Sequence, residues 1–367
     1  MTKDELVAIL RLQNIPNIGD INAKKLIRQC GSPIAVFSDK RAHLTKIDGI
    51  GTYTLKNLHD PSYLKAAESE LRYILDNDIA CVDFMGDDYP WYLKHCIDSP
   101  LLLFKRGNIN LIGKRVISVV GTRNMTSYGR AFCEQFIEDI APLNPVIVSG
   151  FAYGVDICVQ RAAMKHKLQT IGCLAHGLNQ VYPKTHAKFM PAVQENGGFY
   201  TEFWSTSNPD RENFLKRNRV IAGMSEATIV IESAEKGGSL VTADIANSYQ
   251  RDVFAVPGRA GDVYSIGCNN LIKYQKAHML TSAADLIYLL NWEVAEEELK
   301  PVQKQLFIEL DNTEKVIYGY LQNEGKQLLD RIALECQLPV FKATSTLLNM
   351  EMKGVIRPLP GKLFEAI

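Results

Sequence analysis

Between residues 78 and 256, short runs of valine, isoleucine and leucine recur along the chain, separated by longer amphipathic stretches. The runs Ile79–Phe84, Leu101–Phe104, Val116–Val120, Pro145–Val148, Thr170–Leu174, Gly198–Glu202, Ala227–Ile231 and Asp252–Val256 read as strands. Helical patterning falls between most of them, over Arg130–Ile140, Gly154–Lys167, Thr185–Glu195, Asn218–Met224 and Thr242–Tyr249. Apolar strands that lack polar alternation belong to a sheet covered on both faces, and their alternation with helices makes that sheet mostly parallel. The prediction is therefore an α/β fold. Most strands stop at glycine or serine, namely Gly121, Ser149-Gly150, Gly177, Ser233 and Gly258. In such a sheet the ligand crevice lies outside the carboxyl ends of the strands, so these small residues mark where something approaches the backbone.

The flanks have a different pattern. Residues 1–72 read as short helices with two glycine turns, Ile15–Gly19 before Ala23–Ile27 and Ile47–Gly51 before Leu55. This is the helix-hairpin-helix pattern, which can present backbone N–H groups to a phosphate. Mixed flanking charge favours a plain helical bundle over a nucleic-acid contact. Residues 73–295 hold the sheet, and a Glu/Lys-rich stretch at 296–310 reads as a linker. The remainder, 311–367, gives helices near Thr313–Asn323, Gln327–Cys336 and Lys342–Lys353, then a hairpin of Val355–Arg357 and Lys362–Ala366 about Pro360-Gly361. Three helices and a short β-wing form a winged-helix pattern. Seven basic and seven acidic residues cancel there, and the candidate recognition helix carries lysine only at its ends, Lys342 and Lys353. A duplex reader needs a basic face, so a protein contact is the expected role.

Composition narrows the chemistry. The 367 residues contain 41 Lys plus Arg against 41 Asp plus Glu, so no global field draws the chain to a polyanion and any anion site must be a local cluster. Eight scattered cysteines, without a Cys-x-x-Cys pair or a histidine at metal spacing, predict reduced thiols and no metal. Met1-Thr-Lys-Asp-Glu5 is not a basic-then-apolar leader, and no apolar run reaches membrane-span length, which predicts a soluble cytoplasmic protein with no membrane contact. Catalytic candidates fare poorly. His176 and His186 lack a Ser or Cys nucleophile at recognisable spacing and read as structural, and no carboxylate pair sits at the crevice mouth. The expectation is no catalytic residue and no cofactor.

Four turns carry the anion-binding signal. The first, Gly121-Thr122-Arg123, lacks the further glycines of a dinucleotide fingerprint but offers a hydroxyl and a guanidinium. The second, Ser149-Gly150 through Gly154, precedes a helix whose first turn holds Asp156, read as a dipole partner. The third, Arg211 through Arg219, puts Lys216, Arg217, Asn218 and Arg219 beside Phe214 ahead of a helix. The fourth, Lys236-Gly237-Gly238-Ser239, opens another helix. Cations with bare amides at a helix start suit phosphate, and Phe214 offers a face for a base. Converging at neighbouring strand ends, the four would form one electropositive groove for a polyanion that carries bases.

With these residues assembled, the chain resembles the DprA/Smf family of DNA-processing proteins over roughly residues 80 to 290. The motifs are Tyr89-Pro90, Asp98-Ser-Pro100, Phe104-x-x-Gly107-Asn108, Gly121-Thr-Arg123, Ser149 through Asp156, Tyr182-Pro183, Asn213-Phe214, Arg217 through Gly223, Gly238 through Ala243, Val253 through Gly258, Gly267 and Asn269 through Ile272. The resemblance implies an extended Rossmann-like sheet between a helix-hairpin-helix or SAM-like module and a winged helix. It also implies a non-enzymatic, homodimeric single-stranded DNA binder that protects incoming DNA during natural transformation and loads the RecA recombinase. Carried over, Arg123, Arg211, Lys216, Arg217 and Arg219 would hold phosphates and Phe214 a base. Gly121, Thr122, Ser149, Gly150, Asn218, Gly237, Gly238 and Ser239 would supply backbone and polar contacts. Leu215 stands where the family often has proline, which implies a looser loop. The rival on the same sheet is a nucleotide sensor or a LOG-like phosphoribohydrolase. That enzyme's loop has a catalytic Glu, whereas Gly237-Gly238-Ser239 is followed by Leu240 through Ala243, and Asp244 is the one carboxylate nearby.

Overall fold

The computed structural model describes residues 1–292, 310–359 and 363–366, which fall into two compact units, Met1–Glu293 and Val294–Ile367. The linker expected at 296–310 lies, apart from Leu310, outside the described residues.

The first unit opens with five helices: α1 (Lys3–Asn14), α2 (Asp20–Cys30), α3 (Pro33–Ser38), α4 (Arg41–Leu44) and α5 (Pro61–Asp76). Capping signals in the sequence set several of their starts. Thr2 and Glu5 close a capping box on α1, Ser32 caps α3, and Asp60 caps α5 just ahead of Pro61.

Nine strands then form one sheet among the described residues. In chain order they are β1 (Ala80–Asp83), β2 (Leu102–Gly107), β3 (Val116–Val120), β4 (Val146–Ser149), β5 (Thr170–Cys173), β6 (Gly197–Thr201), β7 (Ala227–Val230), β8 (Asp252–Ala255) and β9 (His278–Met279). They lie in the order β1-β2-β6-β5-β4-β3-β7-β8-β9. All neighbours from β6 to β9 are parallel, while β1 and β2 add an antiparallel edge. The eight expected strands are all present within a few residues of their predicted ends. From β3 the chain winds outward through β4, β5 and β6, and then returns to place β7 on the other side of β3. The switch point, where a crevice opens, is therefore between β3 and β7.

Val116–Val120 is buried along its whole length. Val116 and Val120 join the core on one face, whereas Ile117 and Val119 join the core on the other. The first core continues without a break into the N-terminal helices through Leu10, Leu26 and Leu58. It is covered by α10 (Arg211–Met224) and α11 (Gly238–Ser248), which follow α6 (Trp91–Lys94), α7 (Ser127–Ile140), α8 (Val155–Lys165) and α9 (Met190–Glu195) in the chain. The second core lies under α7, α8 and α13 (Ala283–Leu289), which comes after α12 (Ile266–Lys273).

Helix α10 begins seven residues before the expected Asn218. The segment read as a loop before a helix is the helix itself, with Asp210 as N-cap accepting from the Asn213 amide at 2.8 Å. Leu215 accordingly sits inside a helix rather than a loosened loop.

In the second unit, α14 (Asn312–Glu324), α15 (Leu329–Glu335) and α16 (Val340–Met352) pack on a three-stranded sheet of Gln327–Leu328, Ile356–Leu359 and Leu363–Ala366. This is the winged helix; the hairpin turn expected at Pro360-Gly361 falls outside the described residues.

Candidate nucleic-acid interface

At the switch point a cleft of about 830 Å³ opens on the carboxyl rim of the sheet. Its floor is the turn after β3, Gly121-Thr122-Arg123, and the turn after β7, from Ser233 to Gly238. One wall is α10 and another the start of α11.

The helical period of α10 sorts the cluster that the sequence presents as one. Arg211, Phe214, Arg217 and Asn218 lie on the face toward the cleft. Lys216 and Arg219 line a separate groove of about 550 Å³ on the other side, next to Asp20 and Glu202. Arg219 is committed there: its Nη2 donates to Asp20 Oδ2 at 3.0 Å and to Glu202 Oε2. Asp20 in turn accepts from the Leu101 amide at 2.9 Å, so Arg219 ties α2 to the sheet.

Arg217 is also largely occupied. It is 5% exposed, and its Nη1 donates to the carbonyls of Gly150 at 2.7 Å and Cys173 at 2.6 Å, at the ends of β4 and β5. Burial pushes its pKa down, against the pull of Asp156, whose own carboxyl burial pushes up. Ser149 and Gly150 lie beneath the cleft rather than in it. Ser149 Oγ donates to the Val119 carbonyl at 2.7 Å, and a Cβ at Gly150 would come within 2.5 Å of the Asp156 carboxylate and into Arg217. Gly150 is thus a packing requirement. Gly121 is one too, since a Cβ there would overlap Val155 at the start of α8.

The cations left exposed at the cleft are Arg123, Arg211 and Lys236, beside the half-buried ring of Phe214 and the exposed carboxylate of Asp210. The Arg123 guanidinium lies 5.1 Å from the Phe214 ring centroid and that of Arg217 lies 5.7 Å from it. Tyr182 stands across from Phe214 with ring centroids 5.6 Å apart. The start of α11 is open. Gly237 is its N-cap and supplies no side-chain cap, and nothing in the protein lies within 4 Å of a Cβ built on Gly238. The loop backbone is held from behind, by Ser239 Oγ donating to Ser233 Oγ at 3.0 Å and Asn218 Nδ2 reaching the Gly238 carbonyl at 3.4 Å. Uncapped amides at a helix start, with cations around them, bind phosphate oxygens.

The start of α7, where a dinucleotide fold would hold its pyrophosphate, is filled by the protein itself. Glu232 is 3% exposed and accepts from the Thr126 amide at 2.9 Å and from the Thr126 hydroxyl. An internal carboxylate thus takes the place of a phosphate at that helix.

Tyr182 lines the cleft although it was not an expected contact residue, and Lys236, read as part of the fourth turn but not carried over as a contact, lines it too. Both signals were in the sequence: Tyr182 in the Tyr-Pro pair and Lys236 directly before the Gly-Gly-Ser turn. His176 and His186 are buried, each with Nδ1 at a backbone carbonyl, Gly177 at 2.9 Å and Phe151 at 3.0 Å. All eight cysteines are free, and no group of three or more metal-ligating side chains is present among the described residues. No described helix is long and apolar enough to cross a membrane.

Comparison with known proteins places these features in context. Residues 80–291 match the family described as DNA recombination-mediator protein A, and residues 308–362 match the DprA winged helix domain. A relative in Bacillus subtilis, DNA processing protein DprA, is 36% identical over 240 residues, which is 65% of this chain and 80% of that protein. The crystal structure of DprA from Streptococcus pneumoniae superposes with a TM-score of 0.66 at 27% identity, covering 80% of this chain and 99% of that one. A structure of DNA processing protein A from Helicobacter pylori, whose subject is its single-stranded DNA binding mode, superposes with a TM-score of 0.52 at 27% identity, covering 58% and 95%.

Proposed function

The chain belongs to the DNA recombination-mediator protein A (DprA/Smf) family, and from that premise we propose that it binds single-stranded DNA in the cleft between β3 and β7. The observation that carries the proposal is the convergence of Arg123, Phe214, Lys236 and the open amides of Gly237–Ser239 on one cleft. Phosphates sit on the α11 start and the exposed cations, while a base lies against the Phe214 ring, which Tyr182 supports from beside it. An unpaired strand can turn a base toward that ring; a duplex keeps its bases stacked and offers only phosphates.

On the same premise the protein is read as a non-enzymatic homodimer. It coats incoming strands during natural transformation in the cytoplasm and hands them to the RecA recombinase. The winged helix fits a protein contact in this scheme. Lys353 is tied to Glu314 at 2.6 Å, and α16 exposes Phe341, Leu348 and Met352 instead of a basic face. The nucleotide-sensor or phosphoribohydrolase reading gains no support from the geometry. Glu232 fills the α7 start, and Asp244 is half-exposed and paired with Lys276 at 2.9 Å, outside the residues that line the cleft.

The test is a titration of fluorescent oligo-dT against a matched duplex at two salt concentrations, with a nucleotide-hydrolysis assay alongside. Tighter binding of the single strand, weakening with salt, is expected. Equal affinity for both forms, or turnover of a nucleotide, would overturn the reading.

A further inference from the structure

The carboxyl rim carries a second opening, of about 950 Å³, beside the first. It lies between the start of α7, Thr126 to Tyr128, and the loop after β8, Pro257 to Ser265. The two openings share a wall. The Thr122–Thr126 turn lines one at its beginning and the other at its end. Ser233 lines the first, and its amide donates at 2.8 Å to the carbonyl of Tyr264, which lines the second.

The side chains in this second groove repeat the chemistry of the first. Tyr128 is 50% exposed, and its hydroxyl donates to the Pro257 carbonyl at 2.9 Å, so the ring is pinned at the groove while much of it stays in solvent. Arg259 is exposed and has no side-chain hydrogen bond or ion pair among the described residues. Gly261 leaves the loop backbone open, with nothing within 4 Å of a Cβ built there. Two carboxylates border the groove. Glu232 is buried and occupied by Thr126, and Asp262 is exposed in the loop. Because Glu232 already fills the α7 start, the groove lacks the cluster of amides that a free nucleotide's phosphates would need. One unpaired cation, Arg259, and the exposed ring of Tyr128 instead match a single repeat of a longer strand that is already anchored next door.

We propose that the Tyr128–Arg259 groove is a second subsite for the same single-stranded DNA, with Tyr128 stacking a base and Arg259 holding a phosphate beyond those bound at Phe214. This rests on the first cleft binding the strand. The groove lengthens the footprint along the rim and does not bind alone.

The experiment compares oligo-dT of about five nucleotides, which fills the first cleft, with one of about fifteen, which reaches both, on the full chain at fixed salt. Arg259→Ala is expected to weaken the long oligonucleotide about five- to tenfold and leave the short one unchanged, with Arg259→Glu weakening the long one further. Tyr128→Ala should behave like Arg259→Ala, and Tyr128→Phe, which keeps the ring, like the parent protein. Unchanged affinity of the long oligonucleotide in Arg259→Ala and Arg259→Glu would overturn the subsite while leaving the first cleft standing. Equal losses on both lengths would also overturn it. Failure of Phe214→Ala to weaken the short oligonucleotide would remove the first cleft, and the subsite with it.

Discussion

The Arg123 guanidinium stands 5.1 Å from the centre of the Phe214 ring, joining the turn after β3 to a helix that begins nearly ninety residues later. At an exposed site a cation over a ring contributes about 0.5–1 kcal/mol, enough to hold both groups ready for a nucleotide. Phe214→Ala should therefore cost on the order of 1–3 kcal/mol of oligo-dT affinity per stacked base. Arg123→Ala should lower the slope of log affinity against log salt by about 0.7, because one fewer counterion is released. The double variant should lose less than the two single losses added together; strict additivity would mean that the two groups act apart.

Lys216 and Arg219 provide the contrasting case, since both face away from the cleft. Lys216→Ala should leave the salt slope as it is. Arg219→Ala strands Glu202 and Asp20 without their cation and should cost about 3 kcal/mol of stability, read by urea unfolding, while the folded protein binds oligo-dT nearly as before. A loss of DNA affinity in Arg219→Ala without a loss of stability would place Arg219 on the strand instead.

The glycines separate in the same manner. Gly238→Ala meets no atom of the protein, so its unfolding midpoint should stay at or above that of the parent while oligo-dT affinity falls severalfold, the methyl standing where a phosphate approaches. Gly150→Ala drives Arg217 and Asp156 apart and should destabilise the fold first. An unchanged affinity in Gly238→Ala would show that the α11 start does not hold phosphate.

His176 should titrate below the ordinary histidine value of 6.5, because burial penalises its charged form and the Arg217 cation repels it. With the folded pKa depressed, its contribution to stability is complete above pH 6.5 and is lost as the pH falls through the folded value. Proton NMR of the imidazole with unfolding curves from pH 5 to 7.5 would check both points. A midpoint at or above 6.5 would contradict the burial argument.

The sheet was readable from sequence because its signals are local. Val116–Val120 and Ala227–Val230 are mostly apolar runs interrupted only by Ser118 and Thr228, and a buried parallel strand needs little else. The start of α10 was not readable from its apolar pattern, since Phe214 and Leu215 are the only apolar residues between Arg211 and Arg219. The usable signal was the cap, Asp210 with Glu212 after it. The allegiance of the cations depends on distant partners. Arg219 answers to Asp20, 199 positions away, and Arg217 to the carbonyl of Gly150, 67 positions away. Glu232 likewise holds Thr126, the N-cap of α7, from 106 positions downstream. A charge cluster in sequence therefore becomes a binding face only after the helical period and such long-range pairings have taken their share.

Photo-crosslinking with oligo-dT that carries 5-iodouracil, followed by peptide mapping, tests the central claim most directly, because the excited base joins to an aromatic ring on which it stacks. The account predicts crosslinks in the peptides that contain Phe214 and Tyr182, abolished for the first by Phe214→Ala. Crosslinks confined to the winged helix or to the N-terminal helices would contradict it.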